Sequence, residues 1–421
     1  MTSIITILRL IAATGLGLPD FPEDSLAIRN PELWVVALPF KSQDWDKVDP
    51  VTAGDPNSLE NNMAVQFYTG LRVGVDSLNQ SGYNIQLMVV EHIESSNLYR
   101  IEIDGRYENI QPEAFLHWVD ETSFDLERVA KIIGPFRGEA SESLGQLSTQ
   151  TLVINPVSRR VNTEGSSCLI VAAPDRSAEL EQLAALAYHQ SLAVPQSHTV
   201  VLDDGNPISI EFIQTYTLLG GDSSSIHRVA FSASDKNLPK QLIDSKYTRL
   251  VCLTDQLLVT ANVLNKLRSI PENQLELWML SSQLSSTSLD ANLLRRQPLV
   301  WVQAERLDYL HFKAFNRLLT KAAHCTPGRW EWIGLDLAWL CSSLSMDGPT
   351  AFEGPRRVYT WRRNPLGGYA NFAALGYRYD PVAGIQPLWL SSKDYSRSQT
   401  IELEDSEPMA EIDATTNEME Q

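Results

Sequence analysis

Short apolar runs alternate with longer amphipathic stretches along most of the chain. Trp34–Phe40 is continuously apolar and closes on a proline, the pattern of a strand buried on both faces of a parallel sheet. A polar loop follows, then Leu59–Asn79, where Ala64, Phe67, Tyr68, Leu71, Val75 and Leu78 recur at helical spacing. Gly70 and Gly74 lie on the same stretch and allow close packing. Tyr83–Val90, Val129–Ile133 and Leu152–Ile154 read as the next strands, with a helix ending at Leu147 before the last of them. The pattern restarts with strands at Cys168–Ala172, Thr199–Leu202, Arg228–Phe231, Arg249–Leu253, Leu275–Leu280 and Leu299–Val302. Helices are predicted at Ser177–His189, from beyond Asp203-Asp204-Gly205 to Gln214, and at Gln256–Leu267. Two late helices, Tyr309–Ala323 and Trp330–Leu344, precede a hairpin of Tyr369–Tyr379 with Ile385–Leu390. Repeated strand–helix–strand units predict an α/β protein of two lobes, each a doubly wound and mainly parallel sheet. The division drawn from this pattern is an N-terminal segment 1–33, a first lobe of 34–190 plus 304–366, a second of 191–303 plus 367–392, and a tail 393–421.

Composition changes this picture in a few places. A length of 421 residues with 43% hydrophobic and 20% charged is enough for several cores without disulfides or metal. The four cysteines, Cys168, Cys252, Cys325 and Cys341, are widely and irregularly spaced, which argues against a zinc site or disulfide framework. A formal net charge of −18 argues against nucleic acid as a partner. Eight acidic residues and no lysine or arginine fall in Ile401–Gln421, a composition that fits a solvated tail or an acidic docking segment. Ile4–Leu18 is apolar but interrupted by Arg9 and too short to span a bilayer; it fits a weak signal segment or a helix packed on the domain. No transmembrane segment is expected.

Catalytic signatures are missing: there is no phosphate-binding loop, dinucleotide fingerprint, G-x-S-x-G elbow or zincin helix. The chain is read as a non-enzyme needing no cofactor and no metal. His117 and His311, beside aromatics, are expected to be partly buried. Trp278, Trp301 and Trp339 are expected in the core.

The order of segments resembles the type I periplasmic-binding-protein superfamily, the group of the branched-chain amino-acid receptors. It is most similar to bacterial members found behind LysM peptidoglycan-binding repeats, although no LysM repeat is present here. The resemblance is carried by Val36–Phe40 with Phe67–Glu91, by Ile132–Ser148 with Leu152–Ser158, by Phe312–Leu319 with Trp330–Leu344, and by Gly367–Tyr379. Gly334-Leu335-Asp336 stands where the family tends to carry Gly-Tyr-Asp. These matches run from about Trp34 to Leu390, and none alone is diagnostic.

The resemblance implies a two-lobed binding module in which a ligand sits between the lobes at the C-terminal ends of the strands. The family's first-lobe contacts follow Gly134-Pro135 and are serine or threonine hydroxyls; this chain has Phe136, Arg137, Gly138 and Glu139 there, with Asn155 closing the fourth strand. Arg137 is suited to bidentate pairing with an anion. Asp203, Asp204 and Asp255 each follow a predicted strand and either hold a ligand ammonium or cap the next helix. The function implied is solute binding in the bacterial periplasm or cell envelope, as in the substrate-binding components of ABC transporters. The ligand would be an amino acid, a peptide or a cell-wall fragment. The alternative is a protein-interaction scaffold with a degenerate cleft, serving an envelope assembly or the regulation of peptidoglycan synthesis. The partner is then a small molecule or an envelope protein, and the sequence leaves the oligomeric state open.

Overall fold

The computed structural model describes residues 32–40, 57–103, 105–123, 131–193, 198–231, 238–244, 248–272, 274–284, 289–307, 313–324, 326–365 and 367–388. The N-terminal segment up to residue 31, the acidic tail, His311 and Cys325 lie outside them. The first lobe opens with β1 (Glu32–Leu38), α1 (Asn57–Gln80), β2 (Ile85–Ile93), β3 (Leu98–Ile103), β4 (Arg106–Ile110) and α2 (Pro112–Ser123). It continues through β5 (Lys131–Ile133), α3 (Gly138–Leu147), β6 (Leu152–Asn155) and β7 (Leu169–Pro174). The second contains α4 (Arg176–Ala193), β8 (Thr199–Asp203), α5 (Pro207–Leu218), β9 (Ile226–Ala230), α6 (Leu238–Asp244), β10 (Arg249–Cys252) and α7 (Leu257–Lys266). It continues with β11 (Glu276–Met279), the single turns α8 (Ser281–Leu284) and α9 (Ala291–Leu294), and β12 (Leu299–Gln303). The chain then returns to the first lobe with α10 (Lys313–Ala323) and α11 (Arg329–Ser343). The short strands β13 (Phe352–Glu353), β14 (Val358–Tyr359), β15 (Trp361–Arg363) and β16 (Tyr369–Asn371) follow. It ends in the second lobe with β17 (Leu375–Asp380) and β18 (Gly384–Pro387).

Two large sheets result. The first has the order β15-β16-β7-β6-β5-β1-β2-β3-β4 and the second β18-β17-β12-β11-β10-β8-β9. Their centres are parallel, and antiparallel pairs are confined to the flanks, β2-β3-β4 and β15-β16 in one and β12-β17-β18 in the other. Every residue of β1 is buried, because α1, α10 and α11 cover one face of its sheet while α2 and α3 cover the other. The second sheet is sandwiched likewise, with α4 and α5 on one face and α6 and α7 on the other.

The tightest packing joins α1 to α11. A Cβ on Gly70 would lie 1.8 Å from the Glu331 carbonyl oxygen, and one on Gly334 would lie 2.0 Å from that of Phe67. Only glycine lets the two backbones approach so closely. This gives the Gly of the Gly334-Leu335-Asp336 motif a physical reason.

The chain crosses between lobes three times, near residues 175, 304 and 372; the pattern placed the first and third at 190 and 366. The first and third differ because α4 packs on β12 and α5 rather than on the first sheet, and because β16 pairs in parallel with β7. The expected Tyr369–Tyr379 strand is therefore two strands in two lobes. Asn371, fully buried, sits where they part: its Nδ2 donates to the carbonyls of Ala172 and Val358, and its Oδ1 accepts from the backbone N–H groups of Thr360 and Ala373. One side chain thus ties together the first and third crossings and the strand β14.

Trp278, Trp301 and Trp339 are buried in the cores as expected. Cys168, Cys252 and Cys341 are buried thiols, and burial pushes Cys252 and Cys341 up to about 12. His117 departs from expectation: it projects from α2 into solvent beside Glu121, because the apolar face of that helix is set by Phe115, Leu116 and Val119.

Candidate functional site

The first-lobe candidates follow the C-terminal ends of β5 and β6, and from the loop after β6 Arg159 reaches the second lobe. Gly134 adopts φ +103°, and a Cβ there would lie 2.1 Å from the Ala37 carbonyl oxygen, so the turn after β5 requires glycine. The turn sends Phe136 inward, where its ring meets Phe67 edge-on at 5.3 Å. Arg137 follows as the N-cap of α3, with its side chain 57% exposed and its Nε 3.4 Å from Glu94 Oε2. A Cβ on Gly138 would lie 2.3 Å from the Arg160 carbonyl oxygen, which brings the loop after β6 against the start of α3. Glu139 is exposed in the first helical turn, a favourable place for a carboxylate.

Asn155 is fully buried and fully engaged. Its Nδ2 donates to Pro135 O, Phe136 O and Ser141 Oγ, and its Oδ1 accepts from the N–H groups of Val157 and Ser158. Asn155 therefore shapes the two loops that carry Arg137 and Arg159. Of the first-lobe candidates, Arg137 and Glu139 face solvent, while Phe136 and Asn155 belong to the interior. His92, at the end of β2, is buried; desolvation lowers its pKa, reinforced by the charge of Arg137, against a hydrogen bond with Asn97.

On the second lobe, none of the three aspartates caps a helix. Asn206 caps α5 and Gln256 is the N-cap of α7. Asp203 accepts from the Gly205 N–H and pairs with Arg228 at 2.5 Å. Asp204 accepts from the Asn206 N–H and from Thr254 Oγ1. Asp255 takes a bidentate pair from Arg176 at 2.6 and 2.8 Å. Asp203 ends β8 and Asp204 begins the loop after it, which Thr254 links to the loop carrying Asp255.

The groups that join the two lobes were not singled out by the sequence. Glu179, in the first turn of α4, is buried; its Oε1 accepts from Arg159 Nη1 at 3.3 Å and from Ser281 Oγ at 2.7 Å. Arg159 belongs to the loop after β6 and Ser281 follows β11, so the C-terminal ends of strands from both lobes meet at this carboxylate. Burial raises its pKa, against the opposing charges of Arg159 and Arg176 and the Ser281 hydrogen bond. Beside the second crossing, Glu305 accepts from Arg329 at 2.8 Å and from Arg357 at 3.0 Å. Burial alone would raise the Glu305 carboxyl, but the two guanidinium groups outweigh it and hold it well below the usual range. Asp336, inside α11, accepts from the Arg356 N–H through both oxygens at 3.1 Å; burial pushes it up to about 7 despite that N–H and the nearby charge of Arg357. The one available signal for Glu179 was a carboxylate four residues before Leu183, on the buried face of a predicted helix.

Among the described residues, no group of three or more histidine, cysteine or acidic side chains is placed to hold a metal. No described helix is long and apolar enough to cross a membrane.

No family model matches the sequence. No curated protein matches it either. Solved structures do. A putative branched-chain amino acid ABC transporter protein from Rhodospirillum rubrum superposes with a TM-score of 0.57 at 14% identity, covering 82% of this chain and 97% of that one. An ABC transporter substrate-binding protein from Desulfitobacterium hafniense, in complex with Leu, gives 0.47 at 13% identity over 85% of this chain and 100% of the other. The C-domain of LpoA from Haemophilus influenzae, a regulator of PBP1A, gives 0.48 at 12% identity with the same coverage. Sheet order, three crossings and the superposition at 0.57 agree: the chain has the two-lobed type I periplasmic-binding-protein fold.

Proposed function

We propose that this chain is a non-enzymatic binding module of the bacterial cell envelope, holding a small molecule between its lobes. The observation that carries the reading is the meeting of strand C-terminal ends from both lobes at Glu179, where loops from each sheet converge on one buried carboxylate. Such edges offer free backbone groups and loop side chains and are where open α/β sheets take ligands. Arg137 supplies an exposed guanidinium at the start of α3 for a ligand carboxylate. Asp203, Asp204 and Asp255 supply carboxylates on the facing loops; Asp255 can release Arg176 to take a ligand ammonium. An amino acid, a short peptide or a cell-wall fragment carries both charges. Calorimetric titration with these classes tests the reading: saturable binding that weakens in Arg137→Ala supports it, and heat changes identical in protein and variant oppose it.

A second reading, an interaction scaffold with a degenerate cleft, is favoured by two features. The hydroxyl pair of the amino-acid receptors is replaced by Phe136, whose ring is in the core, and Arg137. The lobes are also already bridged by the chain's own ion pairs. Co-purification of an envelope protein partner, together with silence in the ligand titration, would favour this reading over the first.

A further inference from the structure

We propose that the first turns of α4 form a clamp between the lobes, in which Arg159 and Arg362 of the first lobe grip Glu179 and Glu181 of the second and hold the two together without a ligand. Arg159 reaches Glu179 from the loop after β6, with Ser281 of the second lobe fixing the same carboxylate oxygen. Arg362 reaches Glu181 from β15, at the edge of the first sheet, through two parallel bonds of 2.9 and 2.8 Å. Positions 179 and 181 are two apart on a helix and point to different sides, so the grips come from separate segments. The Arg362 guanidinium also lies 3.3 Å from the centre of the Phe372 ring, at the third crossing, which fixes its direction. Since α4 packs on the second-lobe core through Leu180, Leu183 and Ala187, a pull on its first turn is a pull on that whole lobe.

In a hinged binding protein the joined state is favoured by a ligand that touches both lobes. Here the chain's own guanidinium groups make such contacts. A ligand entering the region then gains only the difference between its contacts and those of the clamp, which sets a threshold on what can bind. The inference rests on the two-lobed reading above and concerns the regulation of the same site.

The test is a distance measurement on ligand-free protein. Spin labels are placed at Tyr107→Cys in the first lobe and Leu258→Cys in the second, both exposed, in a Cys325→Ser background; the other cysteines are buried. In the double variant Arg159→Ala/Arg362→Ala the ratio of separated to joined lobes rises about tenfold, the effect of losing one exposed and one half-buried pair. An unchanged distance distribution in a folded double variant, judged by far-ultraviolet circular dichroism, overturns the proposal. If that variant does not fold, Arg362→Glu alone serves, because its pair is exposed: separation rises, and adding Glu181→Arg restores the joined distribution. Failure of either step also overturns the clamp. Because no ligand is present, a protein that binds no small molecule still gives a clear answer here.

Discussion

Replacing Asp336 by asparagine should make stability less dependent on pH, and the size of the effect follows from its surroundings. The side chain is fully buried within α11, and its carboxyl is pushed from 3.8 to about 7. Between those two values the folded protein keeps a proton that the unfolded chain has lost. Stability contributed by this group is therefore complete below about 3.8 and declines as pH rises towards 7. Roughly three pKa units at about 1.4 kcal/mol each make the full loss about 4 kcal/mol. Asparagine is neutral throughout and keeps an oxygen for the Arg356 N–H. The attraction for Arg357 is lost only above about pH 7, where the parent's Asp336 is charged, and Arg357 retains Glu305 throughout. Urea unfolding followed by tryptophan fluorescence at pH 5, 6, 7 and 8 provides the assay. Asp336→Asn should gain on the parent by roughly 3 kcal/mol between pH 5 and pH 8, because about two of those pKa units fall in that range, with groups common to both proteins cancelling in the difference. A difference constant across the range would show that Asp336 titrates as an ordinary carboxylate and that burial does not govern it.

Other outcomes follow from the same geometry. Gly334→Ala should cost about 3 kcal/mol or prevent folding, since the added Cβ meets the Phe67 carbonyl oxygen at 2.0 Å; thermal melts read this directly. Asn371→Ala should cost about 3 kcal/mol by orphaning buried backbone groups at the crossings, measurable in the same melts. Glu305→Gln leaves Arg357 buried without its counter-charge and should destabilise by roughly 3–5 kcal/mol in urea unfolding, while Arg357 itself stays charged.

Much of this architecture was legible in the sequence because central strands such as β1, buried on both faces, are continuous apolar runs. The helices α1 and α11 also carry their small residues at the spacing where they meet. What escaped lies at the edges. In the β3-β4 hairpin, β4 is polar and exposed and β3 buries only alternate residues, Tyr99 and Ile101, so neither strand shows as a continuous apolar run. The split between β16 and β17 depends on Asn371, whose role is to bond backbone far away in sequence. Within the candidate site, the three aspartates were singled out because they follow predicted strands, and Arg137 because it follows the Gly134-Pro135 turn. Glu179, Glu305 and Arg357 were not, because a carboxylate or guanidinium that becomes buried through a distant partner looks in sequence like any surface charge. Asn155 was singled out for its position at a strand end, and its side chain is occupied in holding the loops that carry Arg137 and Arg159.

The most direct test of a working cleft is a thermal-shift screen of the purified protein against amino acids, short peptides, peptidoglycan fragments and sugars, with Arg137→Ala in parallel. A ligand at a hundred times its dissociation constant adds about 2.7 kcal/mol to the folded state, a readable rise in melting temperature. Arg137 is largely exposed, so its loss should shift the ligand-free melt little. A working cleft predicts a compound, bearing a carboxylate, that raises the parent's melt and loses that effect in the variant. A library in which every compound leaves both melts unmoved, or shifts both equally, would contradict it.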